Sequence, residues 1–547
     1  MRAAYRAGPG GQYVDTAVGD YSLSAPSIEA RAAPAYSDPV EGTKAVSPFP
    51  GDPCSGAGGA TSVTMSAVES DVSAPDAKMS LPTLTGIVVG GMVGAGVFSL
   101  PARFGVATGI LGSLIAWAVA GAGMLMLAFV FQNLAIRKPE LDSGVFIYAK
   151  AGFGDYAGFN SAIGFWASTV AGNTFYWVFI GATLGNFFDG FGDGATVLAV
   201  GVSTVAIWLF HYLIARGVRD AAVINRIVTV FKIIPILVFI VVLLFSFDAG
   251  IFADNWTATG YGDLGSLNEQ VRNTMLITTF VFIGIEGASV YSRYAKRRED
   301  VGRATVLGFL SVLSVFALVT LSSYSVMTQP DLAKARQPSM IPVFEYVVGD
   351  WGRWFISAAV IVSVLGAYLA WTLMAAEVMY IPARNEDFPE FLGQENEHGT
   401  PITALVVTSL AIQSLLVLTL VVDDALNFML DLSTSLALLP YFLAAAYALK
   451  LGLTGESYEG VHRRVRNRET IVAGVATAYT AFLFDAAGLK FVLLMTVILA
   501  PAALLYIKAR TERGRRLLSP TEIGLFVLIL AGGVIGAVGL WTGRITI

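Results

Sequence analysis

The chain has one cysteine, three histidines and few charges, with 14% Asp, Glu, Lys and Arg against 55% hydrophobic residues. The single Cys54 lies in a polar N-terminal stretch, so an internal disulfide framework is excluded. No paired Cys/His cluster stands at metal-ligand spacing, and neither a metal nor a cofactor is expected. His211, His398 and His462 fall at predicted segment ends or loops, where solvated or interfacial positions are expected. Charge this sparse is incompatible with a soluble chain of this length, whose surface must separate its core elements with charged residues. The formal net charge of −5 says little, because the placement of Lys and Arg orients a membrane protein, not their sum.

What the chain has in abundance is long apolar segments. A hydrocarbon core of about 30 Å needs about 20 residues of helix. Spans are expected at Leu84–Phe104, Gly109–Leu134, Tyr156–Phe187, Ala195–Ile214, Ala222–Phe247, Thr274–Tyr294, Ala304–Met327, Trp351–Ile381, Ile402–Val422, Asp424–Leu449, Thr470–Phe484, Phe491–Ile507 and Thr521–Trp541. The expected fold class is an all-α integral membrane protein of about 12–13 transmembrane helices. Residues 1–80 differ in kind: rich in Ala, Gly, Pro and Ser, without apolar periodicity, they read as a disordered tail. The tail lacks the apolar core of a secretory signal. Met79 stands directly before the first span, with Met65 nearby, so an over-long start assignment is an alternative to a working tail.

Basic residues cluster in alternate loops. One set holds Arg137 and Lys138; Arg216, Arg219 and Arg226; Lys296 to Arg298 and Arg303; Arg384; Arg463 to Arg468; and Lys508 to Arg516. The opposite loops carry only Arg103, Arg272, Lys334, Arg336, Arg353 and Lys490. The positive-inside rule then predicts a cytoplasmic N-terminus and, if the last segment crosses, an external C-terminus.

Two glycine-rich interruptions break this apolar material: GGMVGAG at Gly90–Gly96 in the first segment and FIGIEGAS at Phe282–Ser289 in the sixth. Glycine runs weaken a helix. Unwound backbone survives in a bilayer only where protein buries it or it lines a cavity. A pair of such breaks, five spans apart and entered from opposite sides, predicts a secondary transporter with two inverted five-helix units and a site at the midplane. Those repeats are expected at about 81–250 and 271–450, with peripheral helices over 451–547.

In the first break the bared N–H groups and the positive end of the outer half-helix suit an anion such as a carboxylate. Close helix packing through Gly90 and Gly94 is the other reading. In the second break Glu286 would cost about 2.5–3.5 kcal/mol at the bilayer centre and must face the bundle or water. It reads as a gate, a counter-charge, or a protonated tie between helices. Freed carbonyls around Ile283 and Gly284 suit an ammonium group. Lys232, inside the fifth span, either occupies a place where sodium would bridge unwound backbone or snorkels to the interface.

At these residues the sequence resembles the amino acid–polyamine–organocation superfamily, and within it the basic amino acid/polyamine antiporters of the bacterial arginine/ornithine kind. GGMVGAGVFSLP at Gly90–Pro101, KPELDSGVFIYAKAGFGDYAGF at Lys138–Phe159, VFIGIEGASVYSR at Val281–Arg293 and GLKFVLL at Gly488–Leu494 carry the resemblance, which runs from about Leu81 to the C-terminus. The resemblance implies ten core helices in two inverted repeats, alternating access, no enzymatic activity, and cationic amino acids as substrates: arginine, ornithine and lysine. It implies that backbone at Met92, Gly94, Ala95 and Gly96 holds the substrate carboxylate. Carbonyls near Phe280, Ile283 and Gly284 receive the α-amino group. By the same resemblance Asn173 reaches the distal cation, Trp371 stacks on the side chain, Phe165 stands at an aromatic gate, Glu286 gates or senses protons, and Lys232 marks sodium independence. Ala95 replaces a serine of some relatives, and Phe280 a tryptophan, a stronger cation–π partner. That substitution argues against a tight guanidinium sandwich and for acceptance of ornithine or lysine.

Other readings stay open at this point. A proton-coupled or uniporting lysine permease would accumulate substrate without an internal counter-substrate. A non-transporting amino acid sensor would use the tail as a signalling arm. The helices show no nucleophile–base pair that would suggest an enzyme. No nucleic-acid partner is expected, the bilayer is, and the choice between monomer and homodimer is not legible.

Overall fold

Some helices begin at a side-chain cap: Thr196, Asp248, Ser266 and Asp424 each accept from a backbone N–H of the first turn. The computed structural model describes residues 80–141, 145–217, 221–258, 264–285 and 298–546. Their helices are α1 (Leu81–Met92), α2 (Leu100–Ala107), α3 (Ile110–Arg137), α4 (Val145–Phe153), α5 (Asp155–Leu184), α6 (Val197–Ala215), α7 (Ala221–Phe245), α8 (Ala249–Asp254) and α9 (Leu267–Phe280). The second half holds α10 (Arg298–Ser323), α11 (Gln329–Lys334), α12 (Met340–Val348), α13 (Asp350–Arg384), α14 (Ile402–Leu418), α15 (Ala425–Thr454), α16 (Arg463–Glu512) and α17 (Pro520–Trp541).

Eight of these are long and apolar enough to cross a membrane, and the bent pair α1–α2 makes a ninth, among the described residues. The chain is therefore an all-α multi-spanning membrane protein with a broken N-terminal helix. Helix α5 is long enough to span but more polar, with Asn160, Ser161, Ser168, Thr169, Asn173 and Thr174 all buried. Polar groups are tolerated there because protein, not lipid, surrounds the helix.

The cap chemistry is local. Ser266 and Glu269 form a reciprocal capping box at α9, and Ser519 and Glu522 another at α17. Gly455, at φ 83°, closes α15 in the left-handed conformation. The two spans expected at Thr470–Phe484 and Phe491–Ile507 are arms of α16, which turns at Gly488 (φ 74°, ψ 167°).

Helix α15 packs on α5 and α16, α13 packs on α5, and α1 packs on α10. Ion pairs collect at the helix ends. Arg137 pairs with Glu469, Lys138 with Glu456, Lys150 with Asp387 and Arg510 with Asp155, at 2.5–2.8 Å. These join the strongly basic loops to one another at one face. Arg272, at the start of α9, pairs with Asp485 beside the turn of α16, and Arg336, after α11, pairs with Asp193 in the connection between α5 and α6.

Candidate functional site: a cavity beside the break in the first helix

Helix α1 stops at Met92 because the next residues leave helical geometry, Val93 at φ −78° and ψ 89°. The N–H of Val93 still reaches the Val89 carbonyl at 2.9 Å, while that of Gly94 turns back to the Met92 carbonyl at 3.0 Å. A 3-10 turn over Gly96–Ser99 then leads into α2, and the two halves bend by 47°. After α9 the chain tightens in the same way. The N–H groups of Phe282, Ile283 and Ile285 donate three residues back, to Thr279, Phe280 and Phe282. Gly284 follows at φ 107°. Glu286 and the rest of that motif through residue 297 lie outside the described residues.

The two interruptions touch. A Cβ on Gly284 would stand 2.9 Å from the Gly91 carbonyl oxygen. A Cβ on Gly96 would stand 2.7 Å from the Val281 side chain and 2.9 Å from the Phe280 ring. Glycine at these places is a condition of the crossing.

A cavity opens beside the crossing. Gly91, Met92, Gly94, Ala95 and Gly96 form one wall, and Phe280, Val281 and Ile283 the facing one. Helix α5 supplies Ser168, Thr169, Gly172, Asn173 and Tyr176, while α13 adds Trp371 and α15 adds Ser433. The free volume is about 30 Å³, enough for roughly two waters and too small for an amino acid without side-chain movement. Among the described residues no lining residue is charged, and the described wall offers backbone dipoles, hydroxyls, one amide and aromatic faces.

Asn173 is the least satisfied of these groups. It is wholly buried, its amide N–H reaches Thr372 Oγ1 only at 3.4 Å, and its carbonyl oxygen has no partner among the described residues. A buried acceptor left open costs about 1–3 kcal/mol. Nearby, Ser168 and Ser433 bond reciprocally through hydroxyl and carbonyl at 2.7 and 2.8 Å, tying α5 to α15. Phe280 meets Phe175 edge-on at 5.2 Å.

Of the residues singled out in the sequence, Met92, Gly94, Ala95, Gly96, Asn173, Phe280, Ile283 and Trp371 lie on the cavity wall. Gly284 stands behind it, at the backbone crossing. Phe165 is buried on α5, two turns before Asn173, and is not on the wall. Lys232, 2% exposed, extends from α7 to the last turn of α1, where its Nζ donates to the Gly90 carbonyl at 2.6 Å. Its ammonium therefore meets a carbonyl freed by the first break. Ser168, Thr169, Gly172, Tyr176 and Ser433 were not anticipated. The first four, with Asn173, follow helical spacing along α5, and that small, polar stripe inside an apolar span was the available signal.

The model of the amino acid permease family matches residues 79–504. The chain belongs to that family. The permease is 46% identical over 477 residues to an arginine/ornithine antiporter of Pseudomonas aeruginosa, covering 86% of this chain and 98% of that one. It is 38% identical over 498 residues to an L-lysine transport protein of Corynebacterium glutamicum, covering 88% and 99%. An arginine/agmatine antiporter of Chlamydia abortus is 35% identical over 437 residues, covering 79% and 90%. Among solved structures, a Na⁺-coupled sialic acid symporter in a substrate-bound outward-open state superposes with a TM-score of 0.50 at 11% identity, over 76% of this chain and 90% of that one. At that identity the likeness concerns the fold alone.

Proposed function

We propose that the permease exchanges cationic amino acids across a bacterial cytoplasmic membrane, arginine for ornithine, by alternating access and without sodium. The observation that carries this reading is the cavity where the broken first helix meets the turn after α9, with the open Asn173 carbonyl oxygen in its wall. Backbone N–H groups over Met92–Gly96 hold the substrate carboxylate, and carbonyls near Phe280, Ile283 and Gly284 take the ammonium. Asn173 accepts from the distal cation, Trp371 lies along the side chain, and Phe165 acts from beyond the wall. Lys232 supplies at the Gly90 carbonyl the positive charge that a sodium ion would otherwise bring. Glu286 keeps the empty carrier from crossing between its faces. Relatives named as arginine/ornithine antiporters support the choice of substrates.

This reading places the core in two inverted five-helix units within about 12–13 spans. The N-terminus is cytoplasmic, by the alternation of basic loops.

Uptake of labelled arginine into proteoliposomes preloaded with ornithine, lysine, agmatine or nothing tests the proposal. Preloaded ornithine should drive uptake, and empty vesicles should show little. Equal uptake into empty vesicles would replace exchange with a uniporting or proton-coupled mechanism.

A further inference from the structure

Near the basic face, the end of α15, the connecting turn and the start of α16 enclose a groove of about 630 Å³. One face of α16 descends through it: Arg463, then Arg466 and Asn467, then Thr470 and Ile471. This is the spacing of neighbours along a single helix face. Over about 12 Å of helix the wall changes from guanidinium through amide and hydroxyl to an aliphatic side chain. Leu453, at the end of α15, is exposed opposite, as is Ile471.

Among the described residues the charges in this groove meet no carboxylate, nor do those of Arg464 and Arg468 beside them, while other basic residues nearby are matched. Arg137, Lys138, Lys150, Arg510 and Arg515 each meet a carboxylate. Arg463 meets none among the described residues. Arg466 donates from Nε and Nη2 to the Gly452 and Leu453 carbonyls at 2.8 Å, which fixes its guanidinium over the end of α15 without neutralising it. The nearby Glu469 carboxylate is already engaged by both Arg137 and the Tyr458 hydroxyl. A positive upper wall with an exposed apolar lower wall, at the end of membrane-spanning helices, has the polarity of a phospholipid.

We propose that this groove binds one anionic phospholipid, its phosphate at Arg463, Arg466 and Asn467 and its chain along Leu453 and Ile471. Basic pockets at the ends of membrane helices attract anionic headgroups by charge, and adjacent aliphatic surface selects a lipid over a soluble anion.

The full-length protein, titrated with phosphatidylglycerol or phosphatidylcholine of the same chains, would be examined by native mass spectrometry. The intact protein should retain one phosphatidylglycerol with at least about fivefold preference over phosphatidylcholine. The Arg463→Glu/Asn467→Glu protein should lose that preference. Arg516→Glu, a charge reversal at an exposed arginine outside the groove, should keep it. Inorganic phosphate and glycerol phosphate in millimolar excess should not displace the lipid. An unchanged preference in the double variant overturns the proposal, and so does displacement by inorganic phosphate, which would make this a soluble-anion site. Should the double variant fail to fold, equal retention of the two lipids by the unmodified protein overturns the proposal by itself.

Discussion

Asn173 has one long hydrogen bond and one open acceptor in the cavity wall, and it is the residue whose removal separates binding from stability. Hydrogen bonds to charged groups contribute about 1.5–3 kcal/mol. Asn173→Ala should therefore raise KM for arginine at least about tenfold. The thermal midpoint of the substrate-free protein should hold or rise, because an unsatisfied buried acceptor has gone. Counterflow kinetics and a melting curve on the same preparation check both halves. A large fall in the midpoint would make Asn173 a structural tie instead. Its type and position stood out in the sequence through family resemblance. Its open oxygen did not, because that depends on the distance to Thr372, which lies on another helix.

Two glycines with positive φ compare strain with contact at the level of elements. Gly284 (φ 107°) presses against the Gly91 backbone, whereas Gly488 (φ 74°) has nothing within 4 Å of an added Cβ. Alanine at either place carries about 1–3 kcal/mol of backbone strain. At Gly284 it must also push the turn after α9 away from the Gly91 backbone. Gly284→Ala should abolish exchange, while Gly488→Ala should lower the melting midpoint and leave exchange within about twofold. Comparable exchange rates in the two proteins would deny the crossing any functional part. Both glycines were legible as interruptions in apolar runs. Which one bears a neighbour is a matter of packing.

Across the whole molecule, ionic contacts at the basic face hold the later helices to the earlier ones. Glu469 accepts two bonds from Arg137, at 2.8 and 3.0 Å, and one from Tyr458 at 2.8 Å. Burial, then the Glu469 carboxylate, pushes the Tyr458 phenol up from its usual 10 to about 12. A raised acid contributes stability that is complete below its unfolded pKa and fades as pH climbs through the folded one. Tyr458→Phe should therefore cost roughly 1 kcal/mol between pH 7 and 9. The difference from the unmodified protein should narrow as pH moves from about 10 toward 12. Melting curves across that range decide the matter, and a constant difference would mean that the phenol's proton is not what holds Glu469. This tie joins α3 to α16 across 332 residues of chain. No local pattern announces such a partnership, although the basic loops that take part were visible at once.

The sequence alone determined the membrane class, the break in the first helix and the family, because hydropathy and glycine runs act over a few turns of chain. Tertiary structure alone decided that the interruptions cross at Gly91 and Gly284, that Lys232 ends on the Gly90 carbonyl, that Ser168 and Ser433 close the cavity, and that Phe165 stays off its wall. Those outcomes depend on which helix faces meet and how closely. Helix contact in a bilayer rests on shape fit and a few polar bonds between residues hundreds of positions apart, with little hydrophobic bias to betray the pairing.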